Sequence, residues 1–117
     1  MHIEERVDGD IVTIKVTGDI TLNQGGNVVL KDKVRSLIQQ GRRKLLIDLS
    51  DVFYVDSAGL GELVQAYVTT KNAGGVLKLV HVTTRLKDLL TITKLVTVFD
   101  TYDTDEAARA SFTPAAV

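Results

Sequence analysis

Cysteine is absent from the 117 residues, and histidine occurs only as His2 and His81. The first absence excludes disulfides, thiol catalysis and thiolate metal sites, and it fits an intracellular setting. The second leaves no ligand cluster legible from spacing and no base paired with a nucleophile. No apolar run is long enough to span a bilayer, and Met1–Asp10 lacks the apolar core of a signal peptide. Charge of one sign is lacking as well. With 14 basic and 15 acidic residues the net charge is −1, which offers no drive toward nucleic acid or an anionic membrane. Repeats, linkers and low-complexity tracts are missing too, so the expectation is one soluble, cytoplasmic domain.

What is present suffices for a core. The chain is 44% hydrophobic and 25% charged, and a domain of this length buries roughly two-thirds of its unfolded surface. Ile3–Val7 and Ile11–Val16 alternate apolar and polar residues around Asp8-Gly9-Asp10, a hairpin signal. Gly18–Asn23 breaks that pattern. From Val28 to Gln40, Leu30, Val34, Leu37 and Ile38 recur at helical spacing, and Gly41 is a stop. Lys44–Leu49 reads as a buried strand. A helix follows over Ser57–Asn72, ended by Gly74-Gly75, with Leu60, Leu63, Val64, Tyr67 and Lys71 on one face. Val76–Val82 reads as a strand. Thr83 or Thr84 caps a helix running to about Thr93 with Leu86, Leu89 and Leu90 inward. Val96–Phe99 reads as a last strand, and Asp103 or Thr104 caps a helix over Asp105–Ser111. This order predicts an α/β fold: a mixed sheet of about four to five strands, with about four helices mainly on one face. The domain is expected over residues 1–112, with a loose tail over 113–117.

The chemistry concentrates in Asp48–Gly61, where a strand leads through a loop to Asp56-Ser57-Ala58-Gly59-Leu60-Gly61. Ser57 can be a helix cap, a nucleophile or a phosphorylation site. As a nucleophile it lacks a base, and the segment lacks the glycine two positions earlier that a hydrolase elbow requires. Asp48, Asp51 and Asp56 read as loop and cap residues rather than cation ligands. Gly59-Leu60-Gly61 opens a helix after a strand, but the dinucleotide fingerprint is incomplete and no Walker lysine is present. No metal, cofactor or enzymatic activity is expected. The glycines have two readings that can coexist: close packing of the helix start on the sheet, or a patch low in side chains that another protein can approach. In both, Leu60 points inward while Gly61 and Glu62 point outward. A phosphate here would add about −1.5 to −2 charges. The helix N-terminus tolerates that charge, whereas a closely docked partner would not.

Asp48-Leu49-Ser50 together with Val55-Asp56-Ser57-Ala58-Gly59-Leu60-Gly61 resembles the signature of the bacterial STAS-domain anti-sigma factor antagonists. The resemblance extends through Gly18-Asp19-Ile20, Val82–Leu90, Leu95, Phe99, Tyr102 and Glu106-Ala107. It implies a non-enzymatic protein that binds an anti-sigma factor, often a serine kinase. That kinase phosphorylates the serine matching Ser57 and breaks the complex, and a phosphatase reverses the step. Two positions depart from the family pattern. Thr21 stands where an acidic residue is usual, in a loop expected near the serine, and Lys94 stands where glycine is common.

The expected site is therefore Ser57 as phosphoacceptor, with Asp56, Ala58, Gly59, Gly61, Glu62, Gln65 and Thr21 meeting the partner. Ala66 and Thr69 extend the exposed side of the helix. The alternative is a constitutive scaffold or accessory subunit, of stressosome type or beside a transporter ATPase. A nucleotide sensor is a third reading that rests on the helix N-terminus alone.

Overall fold

The computed structural model describes residues 2–21 and 26–112, with side chains undescribed at 26–28. The expected tail, and Leu22 and Asn23 of the pattern break, lie outside the described residues. In chain order the elements are β1 (His2–Asp8), β2 (Ile11–Thr17), α1 (Gly26–Gln39), β3 (Lys44–Asp51), α2 (Ser57–Asn72), β4 (Val76–Val80), α3 (Thr84–Ile92), β5 (Thr101–Tyr102) and α4 (Asp105–Phe112).

The five strands form one sheet in sequence order. β1 and β2 are antiparallel, joined by a two-residue turn with Gly9 at φ +64°. The remaining neighbours are parallel, and each pair is bridged by a helix, as a parallel crossover demands. β3 lies at the centre and is buried on both faces, which explains its continuous Leu45-Leu46-Ile47 run.

Successive residues of a strand face opposite sides, so the sheet feeds two cores. Val12, Ile14, Val16, Leu45, Ile47, Leu49, Leu77 and Leu79 pack under α1, α2 and α3. Ile11, Leu46 and Val80 pack on the other side against Ala108 and Phe112 of α4. Each fully buried Leu or Ile contributes roughly 1.5–3 kcal/mol.

The chain end departs from expectation. Val96–Phe99 is not a strand: Leu95–Thr97 is a 3-10 turn, and the last strand is Thr101–Tyr102. Lys94 adopts φ +63°, which ends α3 and redirects the chain. Phe99 donates its N–H to the Leu95 carbonyl and packs edge-on against Tyr67 of α2, with ring centroids 5.5 Å apart. The apolar residues there serve a turn that fills the core, so the alternation of a strand is not required. β4 also stops short of Val82, because His81 at φ +56° breaks the extended backbone. Of the two candidate caps for α4, Thr104 accepts from the Ala107 N–H.

Candidate functional site

Two loops at the carboxyl ends of β2 and β3 are laced together by backbone hydrogen bonds. Gly18 N–H donates to Asp51, Ile20 N–H to Tyr54, and Asp56 N–H to Ile20. Ile20 and Val55 form a parallel bridge, and both are buried. This lacing anchors the start of α2; Thr21, half-buried, follows Ile20 in the first of the two loops.

Asp56, rather than Ser57, caps α2. Its backbone is extended, and Oδ1 accepts from Gly59 N–H at 2.7 Å, satisfying one of the free donors of the first turn. Ser57 is therefore the first residue inside the helix. It is exposed, and its hydroxyl is not spent on capping. No acidic residue follows it in the first turn. Ala58 is half-buried beside it.

The two glycines separate cleanly. A Cβ on Gly59 would collide with the Ile20 carbonyl oxygen and stand 2.7 Å from its carbon, so this glycine permits the helix start to sit on the laced loops. Gly61 is exposed, and a Cβ there would meet nothing within 4 Å. Gly59 thus takes the packing role, one of the two expected for these glycines, while Gly61 lies on the open surface.

Other expectations fail on the same helix. Glu62 does not point outward: it is 5% exposed, and its Oε1 accepts from Lys31 N–H of α1 at 2.9 Å. Burial raises its pKa, with the Lys31 hydrogen bond opposing the shift. Ala66 is buried as well, and Thr69 only half-exposed. The cause is that α2 packs against both the sheet and α1, so its buried arc is wider than one apolar stripe. What remains outside is the line Ser57, Gly61, Gln65, Val68 and Asn72, at helical spacing, together with Lys71, which was expected on the inner face.

Ser57, Gly61 and Gln65 of that line border a groove of about 690 Å³ between α2 and α3. Ser57 and Gly61 lie on its α2 wall with Val64, while Leu89, Ile92 and Leu95 come from the other side. Arg85 and Asp88 supply opposite charges in the same groove. Ile92 is 78% exposed, and Phe53 and Tyr54 stand exposed in the loop before Ser57. Sequence reasoning missed this wall. Ile92 lies off the inward Leu86–Leu90 stripe of α3, and two aromatics sit in a loop where polar residues are usual; those were the available signals.

Residues 2–108 match the STAS domain. The chain belongs to the STAS-domain family of anti-sigma factor antagonists. It is 33% identical over 100 residues to the anti-sigma-B factor antagonist of Bacillus subtilis, covering 86% of this chain and 89% of that protein. A Thermotoga maritima structure, described as a candidate anti-sigma factor antagonist, superposes with a TM-score of 0.85 at 24% identity over 93% of this chain and 92% of that one. Unphosphorylated SpoIIAA, an anti-sigma factor antagonist of Bacillus, superposes at 0.71 with 15% identity, over 98% of this chain and 100% of its own. At these identities the structural matches speak to fold. Among the described residues, no helix is long and apolar enough to cross a membrane.

Proposed function

We propose that this STAS domain is a cytoplasmic anti-sigma factor antagonist whose unphosphorylated form docks an anti-sigma factor, and that phosphorylation of Ser57 releases the partner. The observation that carries this reading is an exposed serine hydroxyl, free of capping duty, at the edge of an apolar groove on a helix start. The partner would be a serine kinase that modifies Ser57 itself, with a phosphatase restoring the binding form. The domain then acts by binding and carries no catalytic step of its own.

The physical logic separates fold from docking. A phosphate at the first position of α2 faces the helix N-terminus, an interaction favourable by about 0.3–1 kcal/mol that offsets the nearby Asp56 carboxylate. A partner covering Ser57, Gly61 and Gln65 would have to bury roughly two negative charges, at a cost of several kcal/mol unless they are paired. Thr21, next in sequence to Ile20 of the laced loops, would tune the contact without adding charge. The aromatic loop residues and Ile92 supply the apolar anchor that interfaces favour. The scaffold alternative has weaker support, because the relative matched over most of its length is named an antagonist.

The reading is tested by incubating the protein with candidate anti-sigma factor kinases and ATP, then mapping the modified residue by mass spectrometry. Phosphate confined to Ser57 is expected; modification elsewhere, with Ser57 untouched, would contradict it.

A further inference from the structure

Sequence spacing shows no metal-ligand cluster, yet the fold assembles one on the side of the sheet away from α1, α2 and α3. Asp48 near the end of β3, His81 just beyond β4 and Asp105 at the start of α4 place one ligand atom each within 4.8 Å of the others. We propose that these three side chains bind a divalent first-row cation such as Zn2+ or Mn2+.

Geometry is the first support. His81 Nε2 stands 3.8 Å from Asp105 Oδ1. Bonds of roughly 2.1 Å to one ion put ligand atoms about 3–3.5 Å apart, so side-chain rotation alone closes the set. Asp48 Oδ1 accepts from Ser50 N–H, an orienting contact of the kind that metal-binding carboxylates use.

A second, separate observation lies in the cavity of about 480 Å³ that Asp48 and Asp105 line. Thr13 lines it too. This residue is only 6% exposed, and its Oγ1 has no hydrogen-bond partner among the described residues. Asp105 Oδ1 is likewise shielded and without a hydrogen bond. A buried hydroxyl without a partner costs about 1–3 kcal/mol. Water on a cation held by the two carboxylates would satisfy the Thr13 hydroxyl, while the cation would satisfy Asp105 directly. In the cavity wall Glu4, Glu5, Asp48 and Asp105 outnumber Arg6 and Lys15, although Glu5 also pairs with Lys33 and Arg109, one turn along α4 from Asp105, carries a shielded Nη2 without a hydrogen bond. One imidazole among the ligands favours Zn2+ over Mg2+ and Ca2+, which favour oxygen alone, while the two carboxylates also suit Mn2+.

The test titrates the full chain with ZnCl2, MnCl2 and MgCl2 by calorimetry, alongside His81→Ala, Asp105→Asn and the control His2→Ala. The control matters because His2 pairs with Glu4 at the edge of the same wall. One-to-one Zn2+ binding is expected, weakened at least tenfold in the first two variants, unchanged in His2→Ala, and at least tenfold tighter than Mg2+ binding. On the unmodified protein, Mn2+ should broaden the amide signals of residues 48, 81 and 105 selectively. Absence of saturable Zn2+ binding, its survival in His81→Ala, or broadening centred elsewhere would overturn the site and leave a plain His81–Asp105 ion pair.

Discussion

The Ile20 carbonyl oxygen occupies the space that a side chain on Gly59 would need. One turn edge later, Gly61 opens onto solvent with that space empty. Two glycines two positions apart therefore answer to different demands, one internal and one external. Gly59→Ala must displace backbone and should cost about 1–3 kcal/mol or more. Gly61→Ala should instead stabilise the helix by up to about 1 kcal/mol, less in so early a turn. If Gly61 belongs to a docking surface, the same Gly61→Ala protein should bind the anti-sigma factor more weakly while melting no earlier than wild type. Thermal unfolding and calorimetric binding on one preparation check both signs, and unimpaired binding would remove Gly61 from the interface.

Glu62 makes the second prediction. Its folded pKa lies above the ordinary value near 4.5, because burial disfavours the carboxylate. The folded state therefore holds the proton more tightly than the unfolded chain. Its contribution to stability is full below the unfolded pKa and is lost as pH rises through the folded pKa. Glu62→Gln keeps an oxygen for Lys31 N–H and removes the charge. It should raise the melting temperature at pH 7 and flatten the pH dependence above about 4.5; a lower melting temperature at pH 7 would show that the carboxylate is a net gain.

Ile92 tests the groove. At 78% exposure it contributes little to the fold, so the uncharged Ile92→Gln should change stability by no more than about 0.5 kcal/mol. Anti-sigma factor binding should weaken at least about tenfold, or roughly 1.4 kcal/mol. Equal affinity would confine docking to the α2 side.

Lys94 concerns the fold alone. A non-glycine residue in the left-handed region costs about 1–2 kcal/mol, and glycine returns part of that gain as unfolded-state entropy. With Lys94 at φ +63°, Lys94→Gly should stabilise the protein by about 0.5–1 kcal/mol in denaturant titrations. A loss of stability would mean that the lysine side chain supports the turn.

Much of the architecture was legible because local signals agreed with burial. α2 runs over the expected Ser57–Asn72, between an acidic cap and the glycines at 74 and 75, and the apolar run of β3 marks the sheet centre. Glu62 was misread because charge usually marks a solvent face, and nothing local reveals that α1 lies alongside. The last strand was misread because Leu95 and Phe99 obey the needs of a turn packed on Tyr67. Asp48, His81 and Asp105 come from three elements, so their meeting is written in topology and not in spacing. Ser57 is singled out by its motif, but its freedom from capping depends on Asp56 having taken that role.

Stoichiometrically phosphorylated and unmodified protein, compared for anti-sigma factor affinity and thermal unfolding on the same samples, probe the switch most directly. Affinity at least about 100-fold lower for the phosphoprotein, roughly 2.7 kcal/mol, with a melting temperature within a few degrees of the unmodified form, is the predicted result. Equal affinity of the two forms, or a phosphoprotein that no longer folds, would contradict it.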